Sequence, residues 1–153
     1  MRNWTKHIAL VLLIVQCVVI FSFSAQDKKK SSDGSERITS RIVHQLGGDE
    51  KSVGMRQKMT RETEVLVRKS AHLLLFTVLG VLAYLTARNY LKNKHFLWSA
   101  IFCLLYAISD EIHQILVPGR AGLVSDVLID TAGSILGIGI LFIIFKIKRR
   151  KKV

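Results

Sequence analysis

The sequence predicts an all-α integral membrane protein, a bundle of four transmembrane helices with a long exported loop between the first and the second. Hydrophobic residues make up 50% of the 153-residue chain, and the mean hydropathy of +0.32 is high for a soluble domain. Four apolar runs approach or exceed the ~20 residues that a helix needs to cross a bilayer. The chain has one proline and ten glycines, so long helices can run without interruption.

The N-terminal segment, residues 1–25, contains the first apolar run. Ile8–Ala25 follows basic residues and contains a single strongly polar side chain, Gln16. It is expected to be a transmembrane anchor. Because Ser-Phe-Ser at 22–24 resembles a small-x-small cleavage site, a cleaved signal peptide is the alternative. Either way, the residues that follow are exported.

Residues 26–69 are predicted to form a polar external loop. They include three consecutive lysines at 28–30 and few apolar residues that could be buried. Residues 58–68 have a more helical pattern, with charges of both signs, so this part could lie as a helix at the membrane interface.

The remaining runs are Ser70–Ala87, Phe96–Val117 and Leu123–Phe145, and they define a three-helix membrane core over residues 70–145. A basic tail, 146–153, follows it. The tail and the link between the second and third runs are short and basic, which places both in the cytoplasm. If the first run is uncleaved, both termini are cytoplasmic and the protein is a multi-pass protein of the cytoplasmic membrane.

The net charge of +12 is not taken as a sign of nucleic-acid binding. The basic residues flank apolar runs and form no stripe interleaved with aromatic residues, so the lipid bilayer is the expected partner. Cys17 and Cys103 each lie within an apolar run and have no metal-ligand spacing around them. A disulfide framework or a structural zinc site is therefore not expected.

The polar residues at membrane depth gather at the outer end of the predicted bundle. An antiparallel arrangement of the helices brings them together. They are Arg68, Lys69 and His72 on the second run, Asp110, Glu111, His113 and Gln114 on the third, Arg120 in the Pro118-Gly119-Arg120 link, and Asp126 and Asp130 on the fourth.

Helical spacing arranges several of these groups on shared faces. Asp110, His113 and Gln114 follow an i, i+3, i+4 pattern, whereas Glu111 points about a quarter-turn away. Asp126 and Asp130 are one turn apart, and their stripe continues into small residues. Gly133 and Gly137 form that continuation and permit close helix packing against a face of the second run that includes His72, Phe76, Gly80 and Ala83.

Each polar group has a structural interpretation beside a functional one. Lys69 could be an interfacial anchor, and His72 a hydrogen-bonded packing residue. Carboxylates within a span are costly and need a partner, so Asp110, Glu111 and Asp126 favour a function. Asp130 lies deeper and is expected to be hydrogen-bonded or protonated. The His and acidic groups could ligate a metal, but their spacing matches no established motif, so no metal site or cofactor is assigned.

The residues Arg68-Lys69-Ser70-Ala71-His72, Ser109-Asp110-Glu111-Ile112-His113-Gln114, Pro118-Gly119-Arg120, Asp126-Val127 and Gly133 resemble the VanZ-like family. The resemblance covers the last three runs and, more loosely, the first. Asp130 stands where that family commonly has Asn. The resemblance implies a bacterial cell-envelope membrane protein that lowers susceptibility to glycopeptide antibiotics such as teicoplanin.

These observations lead to one first prediction and two alternatives. The first is an outward-facing pocket that recognises a lipid-linked or anionic envelope component. The second is a membrane-embedded enzyme acting on a lipid-linked substrate, and the third is a purely structural protein. Candidate catalytic residues are His72, Asp110, Glu111 and His113, and candidate ligand-binding residues are Lys69, Gln114, Arg120 and Asp126.

Overall fold

The computed structural model describes residues 3–26, 38–47, 52–118 and 122–150. These residues form five helices: α1 (Asn3–Ser24), α2 (38–45), α3 (Val53–Tyr90), α4 (His95–Ile115) and α5 (Val124–Arg150). The predicted all-α class is confirmed. Four helices, α1, α3, α4 and α5, are long and apolar enough to cross a membrane, as the four apolar runs predicted.

The segment predicted as a loop over residues 26–69 is largely helical where it is described. Residues 38–45 form α2, and α3 begins at Val53 and continues without interruption to Tyr90. At 1.5 Å per residue, its 38 residues span about 57 Å, nearly twice the ~30 Å hydrocarbon core. The mixed charges of 53–69 therefore mark the part of a long helix that extends past the bilayer, rather than an unstructured loop.

The helix directions follow from contacts between the long helices. Ser24, at the end of α1, contacts Asp110 near the end of α4, so these two helices run the same way. Lys69 of α3 contacts Asp126 at the start of α5, and Thr77 lies against Gly137 further along both helices, so α3 and α5 share the opposite direction. Residues 3 and 150 consequently lie at the same end of the bundle, and the polar residues lie at the other end.

The closest helix packing is between α3 and α5, which share the most extensive interface. Gly80 lies against the Ser134 backbone, Gly133 against the Leu73 carbonyl, and Gly137 against the Thr77 carbonyl. A side chain at any of the three glycines would overlap these backbone atoms. The contact predicted for Gly133 and Gly137 is confirmed, and it fixes the depth at which α5 faces α3.

Helix α1 is packed into the bundle. Ile20 is fully buried, and the Gln16 side-chain amide donates a hydrogen bond to the Leu75 carbonyl at 2.9 Å. From α4, the Tyr106 hydroxyl donates to the Cys17 carbonyl at 2.7 Å. Because lipid offers no competing partners, such interhelical bonds orient α1 about its own axis. This orientation brings Ser24 to the polar end.

Candidate functional site

The polar end is built from all four long helices. His72 of α3, Asp110 of α4 and Asp130 of α5 each present a ligand-type atom, and these three atoms lie within 4.8 Å of one another. Both carboxylates are buried and the histidine side chain is 15% exposed. The sequence predicted all three residues at this end of the bundle, and the structure shows that their side chains are immediate neighbours.

Asp110 is oriented by two side chains. The Ser24 hydroxyl donates to Asp110 Oδ2 at 2.8 Å, and the Gln114 amide donates to the same oxygen at 2.9 Å. The Gln114 bond links adjacent turns of α4, whereas the Ser24 bond crosses from α1. Asp110 Oδ1 has no hydrogen-bond partner among the described residues. One oxygen of this carboxylate is therefore fixed, and the other is left available.

Asp130 lies deepest in the cluster and is only 1% exposed. Neither of its carboxylate oxygens has a hydrogen-bond partner within the described part of the chain. His72 Nδ1 is 3.7 Å from Asp130 Oδ2, a separation that is electrostatically favourable but too long for a hydrogen bond. The Ser134 hydroxyl, one turn further along α5, donates to the Asp130 backbone carbonyl rather than to its carboxylate.

A narrow cavity opens beside this cluster. It leaves about 10 Å³ for the centre of a water-sized sphere, which is room for about one water molecule or one ion. Lys69 stands at its mouth and forms a 2.8 Å ion pair with Asp126, whose side chain is partly exposed. The lining residues are Arg68, Lys69, His72, Gln114, Asp126, Ile129 and Asp130.

Glu111 has a different partner from the rest of the acidic groups. Its Oε1 accepts a hydrogen bond from the backbone amide of Leu123, the residue immediately before α5. Amides at a helix start have no intrahelical acceptor, and a carboxylate there also offsets the positive end of the helix dipole. Glu111 thus anchors the beginning of α5 to α4. Its Oε2 has no hydrogen-bond partner among the described residues.

His113 lies on the side of α4 that faces α1. Its ring stacks on Phe21, with 4.3 Å between centroids and 27° between the planes. It does not belong to the set of residues that line the cavity. Among the sequence candidates, the structure therefore brings Lys69, His72, Asp110, Gln114 and Asp126 together, and directs Glu111 and His113 to neighbouring contacts. Arg120 lies outside the described residues.

Two residues of the cluster were not among the sequence candidates. Asp130 was placed at the outer end on the same face as Asp126, but it was expected to be a deeper, hydrogen-bonded or protonated residue and was not given a functional role. Ser24 was considered only as part of a cleavage signal. A lone serine at a helix end carries no signal of its own, and only the packing of α1 shows its partner.

Four lipid-compatible helices enclosing a buried polar cluster at one end define a polytopic helical membrane protein. A family model described as VanZ/LLP1 matches residues 8–146, nearly the whole chain. The chain belongs to the VanZ/LLP1 family, as the motif residues predicted. No curated protein and no solved structure gives a significant match.

Proposed function

We propose that this VanZ-like protein acts in the bacterial cytoplasmic membrane with its polar end outward, and that it lowers susceptibility to glycopeptide antibiotics of the teicoplanin type by binding an anionic or lipid-linked envelope component. Family membership supports the envelope setting. The short basic segments at the opposite end of the bundle support the orientation.

The observation that carries the proposal is the placement of Lys69 at the mouth of the polar cavity. The cavity beneath it admits no more than a small ion or water, so an envelope component cannot enter. It would instead contact the rim, the residues Arg68, Lys69 and Asp126 around the opening. Arg68 lines the same opening. Two cations on adjacent residues suit a phosphate or carboxylate that approaches from the headgroup region.

The Lys69–Asp126 ion pair is accessible enough for an anion to replace Asp126 as the partner of Lys69. Both side chains are partly exposed, at 30% and 24%, so an incoming anion can compete with Asp126 for the ammonium group. Gln114 lines the same opening. Arg120 remains in the proposal as a second anion partner, on the family resemblance alone.

A charge exchange at the rim tests the proposal. Lys69→Asp combined with Asp126→Lys preserves an ion pair but moves the cation to α5. If the pair only stabilises the bundle, the double variant should restore protein level and glycopeptide protection relative to Lys69→Asp alone. If Lys69 binds an anion, protein level should recover while protection stays lost.

The assay is glycopeptide susceptibility in a host lacking the gene, with membrane levels measured by immunoblot. Lys58→Asp is the matched control, because Lys58 lies three turns earlier on α3 and its side chain is 73% exposed in a simple pair with Glu62. Full protection by Lys69→Ala at normal protein level would contradict the proposal.

An enzyme remains the second candidate because of one observation, the proximity of His72 to two buried carboxylates. Imidazole close to Asp110 and Asp130 is an arrangement suited to general acid–base catalysis on a lipid-linked substrate. Glu111 and His113 are less suited to this role, since each is engaged in packing elsewhere. Turnover of a lipid-linked precursor by purified protein, lost in His72→Gln, would favour the enzyme over the binding protein.

A further inference from the structure

We propose that His72, Asp110 and Asp130 bind a single divalent metal cation at the polar end of the bundle, with Zn²⁺ bound most tightly. This inference does not depend on the proposed function, because it concerns the cluster beneath the rim and is tested without any envelope phenotype. One ligand comes from each of α3, α4 and α5.

The first support is geometric. The three ligand atoms lie within 4.8 Å of one another. In a tetrahedral site, ligand atoms at about 2.0–2.2 Å from one ion are about 3.3–3.6 Å apart, so the widest pair has to close by at most roughly 1.5 Å. Rotation about side-chain torsions of His72 and the two aspartates supplies movements of this size without displacing a helix.

The second support is the state of Asp130. This side chain is 1% exposed, lines the cavity, and has neither carboxylate oxygen hydrogen-bonded within the described part of the chain. A buried carboxylate without partners is strongly disfavoured, and in a membrane protein water does not readily compensate for it. Asp110 Oδ1, in the same cluster, also has no hydrogen-bond partner among the described residues. A divalent cation between them would satisfy both carboxylates at once.

The third support is the way in which Asp110 is held. Ser24 and Gln114 both donate to Oδ2, which fixes the carboxylate plane and leaves Oδ1 without a partner. Metal-ligating carboxylates are commonly oriented by such outer hydrogen bonds. Two donors on one oxygen and none on the other is the arrangement expected if the free oxygen is a ligand.

Charge and space fit one cation. With neutral His72, the two carboxylates carry a charge that a divalent ion would balance. Lys69 is paired with Asp126 at 2.8 Å, so its ammonium group is directed to the rim and not to Asp130. The cavity of about 10 Å³ beside the cluster, which His72 and Asp130 line but Asp110 does not, has room for one small ion.

The donor set favours Zn²⁺ over the alkaline-earth ions. One imidazole and two carboxylates form a mixed nitrogen and oxygen set, and imidazole selects transition metals over Mg²⁺ or Ca²⁺. Zn²⁺ is bound more tightly than Mn²⁺ by most such sites, following the usual order of divalent affinities. Three protein ligands leave at least one coordination position open, in contrast to the closed four-ligand shell of structural zinc sites.

The test uses the purified full-length protein in mild detergent. After chelator treatment and dialysis against Zn²⁺, metal content measured by mass spectrometry should be about one Zn²⁺ per chain, with Mn²⁺ bound more weakly and Mg²⁺ not retained. Thermal stability should rise on addition of Zn²⁺ and fall on addition of chelator. A wild-type protein that retains no metal, or whose stability is unaffected by Zn²⁺, would overturn the proposal.

Variants locate the site. Asp130→Asn and His72→Gln keep side-chain volume and should lower Zn²⁺ affinity at least a hundredfold, while Ser24→Ala, which removes only an outer hydrogen bond, should lower it about tenfold. Glu62→Gln, which changes a 68% exposed acidic side chain of α3 away from the cluster, is the control and should retain Zn²⁺, as should a variant in which both cysteines are replaced by serine. Zn²⁺ retention in Asp130→Asn equal to wild type, in folded protein judged by size-exclusion chromatography, would also contradict the site.

Discussion

The Ser24 hydroxyl, at the last residue of α1, donates a 2.8 Å hydrogen bond to the buried carboxylate of Asp110, 86 positions further along the chain. This bond joins the first span to the polar cluster of the other three. It makes α1 part of the site.

Ser24→Ala should therefore destabilise the protein by about 1 kcal/mol, since a buried charged acceptor loses one of its two donors. The measurement is the midpoint of denaturant-induced unfolding in detergent. Ser22→Ala is the control, because Ser22 is exposed and its hydroxyl donates only to the Val18 carbonyl within α1. Equal midpoints for the two variants would mean that the bond to Asp110 contributes nothing to stability.

The same contacts predict that α1 is retained in the mature protein. Removal of residues 1–24 would take away Ile20 from the core and the bonds made by Gln16 and Ser24. The intact mass of the purified protein, tagged at its C-terminus, should include the first span. A mass that begins after Ser24 would identify a signal peptide and would leave Asp110 with one fewer donor.

Substitution of Gly137 should distinguish the helix interface from the lipid face. Gly137→Leu places a side chain into the Thr77 backbone and should destabilise the bundle by at least about 2 kcal/mol. Gly139→Leu, two residues further along the same helix, meets no atom within 4 Å and should be tolerated. Folded yield and thermal stability are the readouts, and similar losses for both variants would contradict the α3–α5 interface.

Much of this architecture follows from the sequence because lipid imposes a simple rule. An apolar run of about 20 residues has to be helical, and polar groups within it have to meet one another. The four spans, the polar end and the Gly133 and Gly137 contact are all consequences of that rule. A helical pattern was recognised at residues 58–68, but its unbroken continuation from Val53 into the second span was not predicted, because a solvated polar helix and a polar loop have similar compositions.

Side-chain direction within the site was less predictable. His113 and Gln114 share the general face of Asp110, but at 3.6 residues per turn they diverge by about 100° to opposite sides of it. Gln114 turns towards the cavity and His113 towards Phe21 of α1. Which of the two enters the site depends on where the neighbouring helices lie, and the spacing within α4 alone does not contain this information.

The orientation of the bundle leads to a further prediction, that both termini are cytoplasmic. Residues 3 and 150 lie at the end opposite the polar cluster, which is also the end that carries the basic link 91–94 and the basic end of α5. Reporter fusions at residue 153 should show cytoplasmic-type activity, and an insertion near residue 45 should show periplasmic-type activity. The reverse pattern would turn the polar end inward and remove the proposed contact with the envelope.

The last prediction concerns His113, for which a packing role and an acid–base role predict opposite effects of the substitution His113→Phe. Its ring lies 4.3 Å from Phe21, and Nε2 is buried with no hydrogen-bond partner among the described residues, as expected for a ring used mainly as an apolar surface. His113→Phe keeps the ring and should preserve both membrane level and antibiotic protection. His113→Ala removes the stack between α1 and α4, so it should lower the membrane level, with protection falling in proportion. The measurement is glycopeptide susceptibility against immunoblotted protein level for both variants.

An acid–base role would instead make His113→Phe inactive at normal protein level, because phenylalanine can neither accept nor donate a proton. That outcome would return His113 to the catalytic set and would require α4 to turn its face by more than the packing against Phe21 permits.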